Sequence, residues 1–145
     1  MPVRTSEATW RGGVRDGDGE MALGSGAWRG EYSFRSRFRE EEPAKSNPEE
    51  LLAAGHAGCF SLALANNLEA EGYDPEEVHT TAHCHLEMRD DEGPTITRIE
   101  LTTEASVPGI DDSEFQEIAT DSKTNCPVSR ALSGVDITLD ASRVE

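Results

Sequence analysis

Basic residues are scarce in this chain: 13 lysines and arginines stand against 29 aspartates and glutamates, a formal net charge of −16. A field of that sign repels nucleic acid and anionic lipid, both of which are gripped by clustered Lys and Arg, and it excludes them as partners. It suits a protein kept soluble in high salt, so a halophilic setting is the expectation, with self-repulsion destabilising the fold at low ionic strength. Cysteine is also sparse. Cys59, Cys84 and Cys126 are an odd number at wide spacing, which is not a disulfide framework and fits a reducing cytoplasm. The paired spacings of a metal site, C-x-x-C or H-E-x-x-H, are missing, so no metal is expected. A metal-binding reading would require His83 and His85; two surface histidines on one strand face are the plainer account. The N-terminal MPVRTSEATW has no apolar run for a signal peptide. Internal repeats are absent too, and residues 1–145 read as one domain with size enough for a core.

What the chain does have is one long uncharged stretch. Leu51 to Leu68 is eighteen residues without a charge, inside the segment Asn47–Asp74. Its start carries full helix signals: Ser46 or Asn47 as N-cap, Pro48 at the first helical position, and Glu49 and Glu50 in the positive first turn. Gly72 ends it, giving a helix of about 35 Å. The stretch is rich in Ala, Gly, Ser and Asn, holds His56, and lacks a positive flank, which argues against a membrane span. An uncharged helix of a soluble protein is expected to be buried on nearly all sides. Ala54, Gly58, Ser61 and Ala65 are spaced four, three and four, a row of small residues that lets another backbone approach. That row fits core packing within the chain or a crossing with the same helix of a second subunit. Cys59 sits in the middle, either as a small core residue or as a protected nucleophile.

Around this helix the pattern is mainly β. Residues 7–38 read as strands, with a hairpin turned by Asp16-Gly17 and Asp18-Gly19 at positive φ. Glu31–Phe38 alternates as a third strand, with Tyr32, Phe34 and Phe38 on one face and Arg35 and Arg37 on the other. Two arginines in so acidic a chain make one of them a candidate for holding an anion. Residues 39–46 form a polar loop. Val78–Met88 and Thr95–Val107 are long strands joined by the turn at Asp90–Gly93. A second helix follows with Asp111 as N-cap and Glu114 closing a capping box, and it breaks at Cys126-Pro127. A helical turn over Val128–Leu132 and a strand over Val135–Leu139 complete the order. The fold class expected is α+β, with mainly antiparallel sheets around a long central helix and a second helix.

Cys59 in an uncharged helix would by itself have a raised pKa and be inert, so reaction requires a cation from elsewhere. Cys126 lies at a helix break, where a thiol is more accessible. The two can reach disulfide distance only if their helices pack side by side there. Spacing alone leaves a redox pair and two unrelated core thiols both open.

The run from Asn47-Pro48-Glu49-Glu50 through His56-Ala57-Gly58-Cys59-Phe60 resembles the signature helix of the OsmC/Ohr family of thiol peroxidases. Val107-Pro108-Gly109-Ile110-Asp111 and Asn125-Cys126-Pro127-Val128-Ser129 resemble the OsmC branch, as do Tyr32-x-Phe34-x-x-Arg37-Phe38 and Ile137-Thr138-Leu139-Asp140. The likeness covers nearly the whole chain in order. Gly58, commonly Ala in the family, is a mild departure. The resemblance implies reduction of organic hydroperoxides, and of hydrogen peroxide more slowly, without a cofactor. It implies Cys59 as peroxidatic thiol, Cys126 as resolving thiol, Arg37 as the cation that stabilises the thiolate, and Glu49 as the carboxylate that orients Arg37. It implies a lipoyl-type dithiol as reductant and an intertwined homodimer with two interface sites. The apolar neighbours Phe38, Phe60 and Leu62 would favour alkyl or lipid hydroperoxides.

Each implied role has a physical basis. A guanidinium cannot lose its proton and remains a fixed donor to a thiolate and to the leaving oxygen. A second thiol converts the sulfenic acid to a disulfide before further oxidation, and an external dithiol reverses it. Glu49 and Cys59 are ten residues apart, about 15 Å along a straight helix and on different faces. A bent helix or a site shared across a dimer would resolve that mismatch. A rival reading is a non-catalytic, stress-induced dimer that binds a hydrophobic ligand. Cys84, on the other face of its strand from His83 and His85, reads as a structural thiol.

Overall fold

The computed structural model describes residues 2–39 and 44–144, which divide into two compact units, Met1–Leu51 and Leu52–Glu145. Half of the polar loop expected over 39–46, residues 40–43, lies outside the described residues.

In the first unit β1 (Ser6–Arg11), β2 (Asp18–Leu23) and β3 (Arg29–Tyr32) form an antiparallel sheet in that order. Trp10 and Tyr32 both pair in register with Gly19, and their rings meet over it with centroids 5.5 Å apart. A Cβ at Gly19 would stand 2.6 Å from either ring, so only glycine permits that packing. The hairpin's left-handed residue is Gly12, φ 92°, and not the Asp-Gly pairs expected to supply it. The loop closes instead by a bond from the Gly17 N–H to the Gly13 carbonyl, 2.8 Å.

The alternating strand expected over Glu31–Phe38 is corrected. It ends at Tyr32, and α1 (Phe34–Phe38) follows as a single helical segment. Ser33 is extended and its hydroxyl accepts from the Ser36 N–H at 3.0 Å, while the Ser36 hydroxyl accepts from the Ser33 N–H at 2.8 Å. This reciprocal capping box satisfies two donors that a strand would have to pair elsewhere. Phe34 and Phe38 fit a spacing of four as well as they fit alternation, and their rings lie 5.0 Å apart.

The long helix, α2 (Pro48–Ala70), starts and stops where the sequence signals stand. Asn47 Oδ1 accepts from the Glu50 N–H at 2.7 Å, and the Ser46 hydroxyl donates to the Glu50 carboxylate at 2.6 Å. At the other end Gly72 takes φ 91°, with the Tyr73 N–H on the Leu68 carbonyl and the Gly72 N–H on the Glu69 carbonyl, both 3.0 Å. That is a Schellman end, and it needs a residue without a Cβ.

The second unit is a three-stranded sheet, β4 (Glu77–Arg89), β5 (Gly93–Ser106) and β6 (Asp136–Arg143), with α3 (Asp112–Asn125) and α4 (Pro127–Ala131) between β5 and β6. β4 pairs antiparallel with β5, but β6 runs parallel to it, as a helical crossover between two neighbouring strands allows. Three of the four strand pairings are therefore antiparallel, and the α+β class stands. The core joins Phe60, Leu64 and Leu68 of α2 to Ile99, Leu101 and Ala105 of β5 and Phe115, Ile118 and Ala119 of α3.

His56, Phe60, Leu64 and Leu68, spaced by four, have no exposed surface. The uncharged helix is nevertheless not buried on nearly all sides within this chain. Ala54, Gly55, Gly58, Leu62 and Asn66 are exposed, Leu62 by 73%. One row serves the core and an uncharged strip remains outside it, contrary to the expectation from composition. Among the described residues no helix is long and apolar enough to cross a membrane.

Candidate active site

The two thiols come together in the second unit through a helix break. Asp111 caps α3 by accepting from the Glu114 N–H at 2.8 Å, while the Glu114 carboxylate accepts from the Tyr73 hydroxyl and is not used in the expected box. Asn67 of α2 donates to the Ser122 hydroxyl oxygen at 2.9 Å, which holds α3 against α2 one turn before its end. Pro127 disfavours helical backbone at the residue before it. Cys126 accordingly leaves the helix at φ −58°, ψ 130°, and Pro127 opens α4 from its first position. Cys126 sits in this elbow with no exposed surface, and its Sγ lies 2.9 Å from the Sγ of half-buried Cys59.

The groups around the sulfurs favour charge at Cys126 over Cys59. Burial pushes the Cys59 thiol up, the bond shared with Cys126 adds to that, and only the Val128 N–H opposes them. Burial pushes Cys126 up as well, but the bond shared with Cys59, the Ser129 N–H and hydroxyl and the Val128 N–H together pull it below the usual thiol value. Among the described residues of the second unit, no cation is among the groups acting on Cys59. Within the second unit, then, the Cys59 thiolate is the disfavoured one of the two.

The cation expected for Cys59 is built in the first unit. Arg37 Nε donates to Glu49 Oε1 at 2.9 Å, with the arginine side chain 39% exposed and the glutamate 8%. Glu49 Oε2 is buried and has no hydrogen-bond partner among the described residues. The pair is fixed by serine chemistry: the Ser36 hydroxyl donates to the Ser46 carbonyl at 2.8 Å and Asn47 Nδ2 donates to the Ser36 carbonyl at 3.1 Å, tying α1 to the start of α2. The short helix, where a strand was expected, thus places Arg37 on Glu49. The Arg37 guanidinium also lies over the Phe38 ring, 5.3 Å from its centroid.

Of the three apolar residues expected to line a substrate pocket, Phe38 belongs to the first unit and Phe60 and Leu62 to the second. Phe38 borders a cavity of about 300 Å³ in the first unit together with Trp10, Tyr32, Phe34 and Arg37. Phe60 has no exposed surface and belongs to the core, while Leu62 stands on the exposed strip beside Gly58, Ser61 and Ala65. Cys84 is half-buried and packs against the core. His83 is exposed, and His85 pairs with Glu100 across β4 and β5. Two neighbours of the thiols carried no expectation, His56 and Ser129. His56 is fully buried, with Nε2 2.8 Å from the Ser129 hydroxyl oxygen. The signal for His56 was its place four residues before Phe60, on the buried row.

Residues 41–140 match the family described as OsmC-like protein. The chain is 41% identical over 138 residues to peroxiredoxin OsmC of Escherichia coli K12, covering 94% of each chain. It is 31% identical over 98 residues, 67% of each chain, to the organic hydroperoxide resistance protein OhrA of Bacillus subtilis 168. Among solved structures, the organic hydroperoxide resistance protein OsmC of Legionella pneumophila superposes with a TM-score of 0.73 at 26% identity, over 99% of this chain and 100% of that one.

Proposed function

Because the chain belongs to the OsmC-like protein family, we propose that it is a cysteine-based peroxidase that reduces organic hydroperoxides, and hydrogen peroxide more weakly, in defence against oxidative and osmotic stress. The observation that carries this reading is the 2.9 Å approach of Cys59 and Cys126 at the α3–α4 elbow. A module that only binds a hydrophobic ligand has no use for a second thiol there.

The chemistry runs as follows. The Cys59 thiolate attacks the terminal oxygen of the hydroperoxide, forming an S–O bond and breaking the O–O bond. The alkoxide released takes a proton and leaves as alcohol, and Cys59 is left as a sulfenic acid. Cys126 attacks that sulfur, the S–O bond breaks, and the hydroxide leaves as water with the Cys126 proton. An external dithiol, of lipoyl type in this reading, supplies two electrons by exchange and restores both thiols. Arg37, oriented by Glu49, is the cation assigned to the thiolate and to the leaving oxygen. What supports this assignment is that burial and the bond with Cys126 push the Cys59 thiol up.

A homodimer is part of the proposal. The uncharged strip of Ala54, Gly58 and Leu62 is exposed on a helix that has no reason to avoid charge on a solvated face. A second copy seated on it accounts for that composition, and small residues suit a close helix crossing.

The direct test is peroxide consumption with a small dithiol for the wild type, Cys59→Ser and Cys126→Ser. No activity is expected for Cys59→Ser, and poor turnover with sulfinic acid accumulating at Cys59 for Cys126→Ser. Equal rates in all three would refute the assignment.

A further inference from the structure

His56 is the one polar residue in the fully buried row of α2, beside Phe60, Leu64 and Leu68. Its Nε2 lies 2.8 Å from Ser129 Oγ, and its Nδ1 is buried without a hydrogen-bond partner among the described residues. An apolar side chain would fill this row and leave no nitrogen unsatisfied, so packing alone does not account for a histidine. Ser129 is the third residue of α4 and is itself buried, and its N–H and hydroxyl are among the groups that draw the Cys126 thiol down. A serine hydroxyl has one proton. Given to Cys126, that proton leaves Ser129 Oγ only able to accept from His56. In that arrangement His56 carries its proton on Nε2, and the bare Nδ1 is the atom without a partner among the described residues. Burial lowers the pKa of His56, which keeps the ring neutral.

We propose that His56 and Ser129 are positioning residues for the resolving step, a donor chain from His56 Nε2–H to Ser129 O–H to Cys126 Sγ that aims Cys126 at Cys59 and stabilises the charge Cys126 gains as it attacks. The inference rests on the peroxidase reading and deepens it. In the step, the Cys126–Cys59 S–S bond forms and the Cys59 S–O bond breaks. The hydroxide takes the Cys126 proton and departs as water; Cys126 is oxidised as the sulfenic sulfur is reduced. No proton comes to rest on His56, whose Nε2 is already protonated in a site that disfavours imidazolium. Hydrogen bonds to an ionised sulfur are the strong kind, so losing the hydroxyl is felt as the thiolate forms.

The test uses the full chain with one equivalent of tert-butyl hydroperoxide, quenched over time, with sulfenic acid trapped by dimedone and disulfide counted by mass. Ser129→Ala is expected to slow disulfide formation about tenfold relative to Cys59 oxidation, and Ser129→Thr, which keeps the hydroxyl, to restore most of it. Nitrogen-15 NMR of histidine-labelled wild type is expected to show His56 protonated at Nε2 and bare at Nδ1. An unchanged ratio in Ser129→Ala, a Ser129→Thr as slow as Ser129→Ala, or a His56 protonated at Nδ1 would each overturn the proposal. Should Ser129→Ala not fold, the wild-type tautomer still decides. Should the wild type consume no peroxide, the peroxidase reading fails on its own. The donor chain is then judged by the tautomer and by iodoacetamide alkylation of Cys126 in Cys59→Ser: slower alkylation when Ser129→Ala is added supports it, and an unchanged rate overturns it.

Discussion

In the first unit Arg37 and Glu49 meet at 2.9 Å as a full ion pair with the arginine partly open to solvent. In the second, Cys59 and Cys126 meet at the same distance with no cation of that unit acting on Cys59 among the described residues, in surroundings that favour charge on Cys126. The first pair is assembled on a five-residue helix by serine and asparagine hydrogen bonds. The second is set by two long helices packed on an apolar core. Each pair lacks what the other has. The thiols are the proposed reacting atoms, in a unit that pushes the Cys59 thiol up; the ion pair has a fixed positive charge and a buried carboxylate oxygen without a partner among the described residues. The proposed reaction at Cys59 uses both, so the dimer and the Arg37 assignment belong to one proposal.

Breaking either side gives effects of different size. Cys59→Ser is expected to abolish peroxide reduction, since a hydroxyl in place of the thiol removes the proposed nucleophile. Arg37→Gln removes the charge and keeps the length, and is expected to lower the rate of the first oxidation about 10²-fold to 10³-fold in rapid-mixing experiments. It should also move the rate profile to higher pH, because Cys59 then keeps the raised pKa of its buried site. Glu49→Gln keeps the shape of the carboxylate and should cost about tenfold. A result in which Glu49→Gln is the more damaging would mean that the carboxylate does more than hold the arginine.

The two phenylalanines sharpen the contrast through stability. Phe60→Ala empties a fully buried core position and should lower the unfolding free energy by about 3–5 kcal/mol in urea titration. Phe38, 37% exposed, should cost under about 1 kcal/mol on the same substitution and show its effect in KM for bulky hydroperoxides. Equal losses of stability would move Phe38 from the cavity wall to the core.

Smaller effects are expected from solution conditions. The net charge of −16 predicts a melting temperature that rises with added potassium chloride, and a flat response would remove the high-salt reading. His56 adds a dependence on pH. Its pKa is lowered in the folded protein, so on the acid side of the ordinary histidine value of 6.5 the unfolded chain binds the extra proton and the folded one does not. Stability is then complete above that value and falls as pH drops below it. His56→Gln should flatten this part of the profile.

How much was legible in the sequence follows from how local each feature is. Asn47, Pro48 and Gly72 mark the ends of α2 by chemistry within a few residues, and Pro127 marks the elbow at Cys126 in the same way. The fate of 34–38 was misread because five residues cannot separate a spacing of four from alternation, and the deciding bond joins two serines of ordinary appearance. The exposed strip of α2 was hidden because an uncharged composition does not say which face the chain itself covers. Partners distant in sequence could not be read at all from periodicity. Cys59 and Cys126 are 67 residues apart and His56 and Ser129 are 73 apart, brought together only by packing. The thiol pair was reached through family resemblance; the histidine and serine beside it were not. The final strand was expected, but not its parallel register with β5, which depends on the path of the intervening helices.

The central claim is that a cation foreign to the second unit makes Cys59 the nucleophile. It is tested most directly by the rate of iodoacetamide alkylation of Cys59 as a function of pH, in Cys126→Ser with and without Arg37→Gln. The account predicts rapid alkylation near neutral pH when Arg37 is present and a profile displaced to higher pH when it is replaced. Superimposable profiles would show that Arg37 does not act on Cys59, and would contradict it.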